Sequence, residues 1–205
     1  MIKQITTKYL RKIGACGASI AEFENQTETD PIKVLLLCLK SDRWDWANWL
    51  ITRLMTHKQQ VQYAVHAAEM IIDEQKLSCP IQRQTIDAAK KWLHNPSKEN
   101  RKVAYVVADA AYAVAEATAY YAYHSIHPFP VAADAIYAAA YAAYSVHATN
   151  RSDVAANTAY TASTAAYTAA YAVALCLQSN LRKKIIQSNL RKKIINYGIK
   201  LLKAM

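Results

Sequence analysis

The chain has 205 residues, a net charge of +10, three glycines and five prolines, and fourteen tyrosines against two phenylalanines. This length suffices for a well-buried core, and the scarcity of glycine and proline excludes flexible linkers and tight hairpins. No apolar run approaches the roughly 20 residues of a bilayer span. The opening MIKQITTKYLRKI lacks a signal peptide's apolar stretch and cleavage site, so a cytoplasmic protein is expected.

Helical signals follow one another along the chain. A first helix begins at Thr7 and either stops near Ile13 or runs past Gly14 and Gly17 to Phe23. Asp30-Pro31 is an N-cap followed by proline at the first helical position, opening Ile32 to Leu39. Ser41 or Asp42 is expected to cap RWDWANWLITRLM. His57 to Gln75 carries Val61, Val65, Ala68 and Ile72 at helical spacing. Pro80 opens a helix that ends at Asn95-Pro96, and Ser97 opens the next. Valines and isoleucines recur at three and four residues rather than in alternation, so no strand is expected.

From Val103 to Leu177 the chain is built largely of alanine and tyrosine and has no glycine. Alanine has the highest helix propensity, and its small side chain lets helix backbones approach closely. His127-Pro128-Phe129-Pro130 should break the first alanine-rich helix. A second is expected from Val131 to about Ala148, and a third follows the separator Thr149 to Ser152. Tyr137, Tyr141 and Tyr144 make one stripe, and Tyr160, Tyr167 and Tyr171 another. Such stripes are packing seams or, on a sharper reading, a groove that stacks a base. Thr158, Thr161, Thr164 and Thr168 are too irregular for an ice-binding array.

The sequence QSNLRKKII occupies residues 178–186 and again 187–195. Nine helical residues turn through about 900°, so a continuous helix places the copies on opposite faces. The expectation is a break near Gln187-Ser188-Asn189, or one copy projecting from the body. Leu190, Ile194, Tyr197 and Leu201 form an apolar stripe, with Lys192, Lys193, Lys200 and Lys203 on the far side. After Asp153 there is no acidic residue, so this basic segment, with Arg191, suits an anionic protein face, nucleic acid, or weakly a membrane surface.

Chemistry-bearing motifs are absent: there is no phosphate-binding glycine loop, no H-E-x-x-H and no C-x-x-C. His124, His127 and His147 could bind zinc, but their context reads as helix termini. Asp109 and Glu116 read as acceptors for tyrosine hydroxyls. Cys16, Cys38, Cys79 and Cys176 read as reduced, mostly buried thiols, and nothing marks a base for Cys16. No catalytic residue, metal or cofactor is therefore expected. Arg43-Trp44-Asp45-Trp46-Ala47-Asn48-Trp49-Leu50 is the densest aromatic surface, with Trp46, Trp49, Leu50 and Arg53 on one face. Tryptophan and arginine dominate binding hot spots, but tryptophans on a helix also serve as core.

The order of several motifs resembles bacterial and phage immunity proteins with an immunity-protein-5-like domain. Leu10 to Cys16 with Phe23 is similar to that family's opening. Asp45-Trp46-Ala47-Asn48-Trp49-Leu50 with Arg53 resembles its D-W-x-x-W-L helix, and Ile86 to Trp92 its A-A-x-x-W segment. The alanine- and tyrosine-rich second half resembles its most recognisable feature; the duplicated tail departs from it. The resemblance covers roughly residues 8–177. It implies an all-helical, non-enzymatic protein that binds and neutralises a toxin or defence effector.

The reading is an all-α multi-helix bundle or short helical solenoid. A single domain spans 1–186, with shorter helices to 96 and closely packed alanine- and tyrosine-rich helices over 97–186. A basic helix or tail occupies 187–205 and is expected to be dispensable for folding. A protein partner is expected at Arg43, Trp44, Trp46, Trp49, Arg53, Arg191, Lys192, Lys193, Lys200 and Lys203. The alternative is a phage anti-defence protein binding nucleic acid or a nucleotide signal through the tail and a tyrosine-lined groove. The oligomeric state stays open.

Overall fold

The computed structural model describes residues 4–75, 80–124, 130–147 and 180–204. Among them are nine helices and no strand: α1 Thr7–Lys12, α2 Gly17–Glu24, α3 Pro31–Lys40, α4 Trp44–Leu54, α5 His57–Gln75, α6 Pro80–His94, α7 Lys98–His124, α8 Pro130–His147 and α9 Asn180–Lys203.

Local chemistry sets most of the boundaries. Thr6 caps α1 by accepting from the Tyr9 amide at 3.1 Å. The chain then turns through Gly14 at φ +82°, a left-handed conformation that favours glycine, so α1 stops short of Gly17. Asp30 accepts from the Lys33 amide at 2.9 Å, as its place before Pro31 predicts. The expected cap of α4 differs: the N-cap is Arg43, without a side-chain cap bond. Asp42 sits at φ 57°, and its carboxylate instead accepts the Trp44 indole N–H. At α5, Thr56 and Gln59 satisfy each other reciprocally as a capping box. Ser97 accepts from the Asn100 amide at 3.1 Å to open α7.

Alanine does the packing in the second half. On α7, Ala104, Ala108, Ala111 and Ala115 recur at helical spacing and are fully buried. On α8, Ala138, Ala139, Ala140, Ala142 and Ala143 are buried as well, and α7 and α8 run in close contact along much of their length. The helix α8 also packs on α5 and α6. His57 Nε2 lies 2.6 Å from the Ser145 carbonyl, joining the start of α5 to the last turn of α8. The third alanine-rich segment, with Tyr160, Tyr167, Tyr171 and the threonine row, lies outside the described residues, as do Cys79, Cys176 and His127.

The C-terminal helix corrects the sequence reading. Helix α9 runs unbroken through 187–189, where a break was one of two expectations, and through the 186/187 division between body and tail. Ile194, Ile195, Ile199 and Leu202 are buried in the main core, and α9 packs on α4 and α5. Gly198 is the point of closest approach: a Cβ there would lie 2.6 Å from Ile51 Cδ1 and 2.8 Å from Tyr63 Cε2. Gln59 Nε2 donates to the Leu201 carbonyl at 2.6 Å, satisfying an acceptor in the last turn of α9. The segment expected to be a dispensable tail thus places four side chains in the main core. Because α9 joins α4 and α5, distant in sequence, the arrangement is a bundle rather than a solenoid.

Candidate functional site

A groove of about 650 Å³ opens between the α1–α2 pair and the α3–α4 pair. Its apolar wall comes from Leu10, Phe23, Val34, Leu37, Trp46, Trp49 and Leu50, and its rim from Glu22, Arg43 and Asp45. Each element supplies a lining residue for a local reason. The turn at Gly14 folds α2 back beside α1, which brings Phe23 round. The run Val34-Leu35-Leu36-Leu37 is apolar on every side of α3, so burying Val34 and Leu35 leaves Leu37 40% exposed at the groove.

Two arginines hold the indoles in place. Arg43 lies 4.9 Å over the Trp46 ring and Arg53 4.0 Å over the Trp49 ring. Arg53 also donates to the Ile13 carbonyl at 3.3 Å and the Trp49 carbonyl at 3.2 Å, bracing the α1–α2 turn against α4. At the mouth, Arg43 pairs with Glu22 at 3.4 Å. Both side chains are about half exposed, and such a surface pair is worth about 0–1 kcal/mol, so it opens readily.

Two free thiols line the groove. Cys16 is exposed, where the four thiols together were expected to be mostly buried, and donates to Ser19 Oγ at 3.4 Å. Hydrogen bonds to the Ser19 side chain and backbone lower its pKa. Burial pushes the Cys38 thiol up to about 11. Histidine is not among the residues lining the groove. No three metal-ligating side chains come together among the described residues. The side chains of His124 and His147 lie outside them.

The residues singled out from the sequence divide between two sides of α4. Arg43, Trp46 and Trp49 line the groove, and Arg53 braces it. Trp44 is core, only 7% exposed, because it sits two residues before Trp46 and so about 160° round the helix. Ile51, about 140° from Trp46, faces Gly198 of α9. Lys192, Lys193, Lys200 and Lys203 are exposed on α9; Arg191 is half-buried, its Nε without a hydrogen-bond partner among the described residues. The basic residues and the tryptophans therefore do not form one site.

The tyrosines pack on each other. Tyr112 makes edge contacts with Tyr137 at 5.2 Å and Tyr141 at 6.1 Å. The Tyr144 hydroxyl donates to Asp109, as the sequence reading expects. Burial, with that bond adding to it, holds the Tyr144 pKa well above the ordinary phenol value. Glu22, Leu37 and Cys38 were missed as site residues. The unbroken apolar run of α3 is the signal that could have marked Leu37.

No protein-family model, curated protein or solved structure matches this chain. The functional reading therefore rests on the groove itself and on the motif resemblance.

Proposed function

We propose that this chain is a non-enzymatic protein-binding protein that takes an apolar segment of a partner protein into the groove between α1–α2 and α3–α4. One observation carries the reading: residues scattered over the first half of the chain, Leu10, Phe23, Trp46, Trp49 and Leu50, converge on a single groove with a charged rim. Tryptophans braced by arginines are rigid anchors, and rigid aromatic surface loses little entropy on binding. These are also residues on which the immunity-protein resemblance rests, which favours a toxin or defence effector as the partner. The second reading, an anionic partner, is supported by the exposed lysines of α9 and would use the opposite side of α4.

The test compares wild type with the double variant Trp46→Ala, Trp49→Ala. Partners captured from the native host are identified by mass spectrometry, and each is then purified and titrated against both proteins. The expected result is a partner whose affinity falls at least about 100-fold in the variant, since two hot-spot residues each contribute about 2 kcal/mol or more. Circular dichroism checks that the variant stays folded. Equal affinity for both proteins refutes the groove. Affinity that depends instead on Lys192, Lys200 and Lys203, with a steep salt dependence, favours the anionic partner.

A further inference from the structure

Helix α9 presents a uniformly basic stripe to solvent. Lys192, Lys193, Lys200 and Lys203 are exposed, as are Asn189 and Asn196 along the same line. By helical geometry these positions fall within about 100° of arc and run for about 21 Å along the helix. The opposite side carries Ile194, Ile195, Ile199 and Leu202 into the core. Elsewhere on the surface, Arg11, Lys33, Arg43 and Lys90 each sit against a carboxylate. Helix α9 has no acidic residue of its own, because none occurs in the chain after Asp153. Residues 148–179 contain one acid, Asp153, and one base, Arg151, so they bring no net charge to offset the stripe. Glu69 of α5 lies within electrostatic reach of Tyr197, but Lys90 of α6 already holds it. Lys200 and Lys203 also suit a helix C-terminus; Lys192 and Lys193, about three turns earlier, have no such reason to be basic.

We infer that this stripe binds the phosphate backbone of duplex nucleic acid without reading its sequence. The inference rests on the anionic-partner reading above and names that partner's class. The stripe holds only lysine and asparagine, whereas protein interfaces are enriched in aromatic residues and arginine and depleted in lysine. It offers no aromatic ring on which an unpaired base could stack, which favours a duplex over a single strand. The apolar side of α9 is buried, so the helix cannot sink that side into a bilayer as an interfacial helix does. A duplex carries one negative charge per about 1.7 Å of its axis, so about 21 Å of straight helix runs beside about twelve phosphates, enough to engage every lysine. Lysine ammonium and asparagine amide groups both donate to phosphate oxygens, and contacts of that kind position a duplex without specifying its sequence.

The test is fluorescence anisotropy of a labelled duplex DNA of about 20 base pairs, titrated with the full chain at salt concentrations from about 50 to about 200 mM. Binding is expected below about 100 µM protein at the lower salt. Four lysine–phosphate contacts give log affinity against log salt a slope of about −3.6, a loss of about 150-fold over that range. The triple variant Lys192→Gln, Lys200→Gln, Lys203→Gln should flatten the slope by about 2.7 with an unchanged circular dichroism spectrum. Each single change should flatten it by about 0.9, which keeps the test decisive if the triple variant fails to fold. The double variant Trp46→Ala, Trp49→Ala should bind the duplex as wild type does, because the groove lies on the other side of α4. An unchanged slope in the lysine variants overturns the inference. So does tighter binding to polyglutamate, or to phosphatidylserine vesicles, that the triple variant abolishes; the anionic partner is then a protein or a membrane. If the chain binds none of the three polyanions at about 50 mM salt, the inference and the anionic-partner reading fall together.

Discussion

Replacing Gly198 by alanine sets two effects of opposite sign against each other. In an exposed helix interior, glycine to alanine stabilises by about 1 kcal/mol, because alanine loses less backbone entropy. At Gly198 the added methyl meets Ile51 Cδ1 at 2.6 Å and the Tyr63 ring at 2.8 and 3.0 Å. Ordinary carbon contacts lie near 3.5–4.0 Å. Ile51 and Tyr63 are fully buried, and the Tyr63 hydroxyl donates to Asn48, so the ring cannot swing away without breaking that bond. Overpacking of this kind costs about 1–3 kcal/mol. When a rigid ring and a buried side chain must both move, the upper half of that range applies, and the net effect is a destabilisation of about 1–2 kcal/mol. For a chain of this size that lowers Tm by roughly 3–6 °C. Asn196→Ala, two residues earlier and exposed, is the control and should stabilise by a few tenths of a kcal/mol. Differential scanning calorimetry of both variants decides the matter. A Gly198→Ala protein as stable as wild type, or more so, would mean that α9 does not dock through Gly198.

Deleting residues 187–205 removes Ile194, Ile195, Ile199 and Leu202 from the core. At about 1.5–3 kcal/mol each, the loss is about 6–12 kcal/mol, comparable with the whole stability of a typical domain; the truncated chain should show no cooperative melt by circular dichroism, and a wild-type melt would place α9 outside the core. Ala139 is fully buried on α8, so Ala139→Leu should cost about 1–3 kcal/mol in urea unfolding, whereas Ala21→Leu on the exposed side of α2 should change stability by less than about 0.5 kcal/mol. His66 stacks on Tyr197 at 3.8 Å, and its pKa is lowered from 6.5 by burial, with Lys200 adding to the effect and Glu69 opposing it. Lowering favours the neutral ring in the folded state, so this contribution to stability is complete above pH 6.5 and is lost as pH falls below it. Tm measured from pH 8 to pH 5 should therefore fall less in His66→Phe than in wild type; parallel curves would remove His66 as the titrating group.

The all-helical class and most helix boundaries were legible because they depend on near neighbours. Asp30-Pro31, Ser97 with Asn100, and the alanine runs act within one or two turns of backbone, and the structure places helices where they say. The stop of α1 stayed open between Ile13 and Phe23 until the backbone at Gly14 was seen in its left-handed conformation. Asp42 was read as a cap because aspartate commonly caps, but the tertiary position of the Trp44 indole drew its carboxylate away.

The duplicated segment and the groove depended on contacts far apart in the chain. Opposite faces of a repeated nine-residue unit mean that both copies cannot dock on one neighbour, but docking needs only one copy to meet the core. Gly198, Ile51 and Tyr63 come together across more than 130 residues of sequence, a meeting that no local pattern encodes. Likewise, the D-W-x-x-W helix announces its tryptophans but not which way they face. Trp44 became core, and Trp46 and Trp49 became groove wall, only because α9 occupies the side of α4 that carries Ile51. Helical periodicity determines which residues share a face; what covers that face depends on how the distant helices pack.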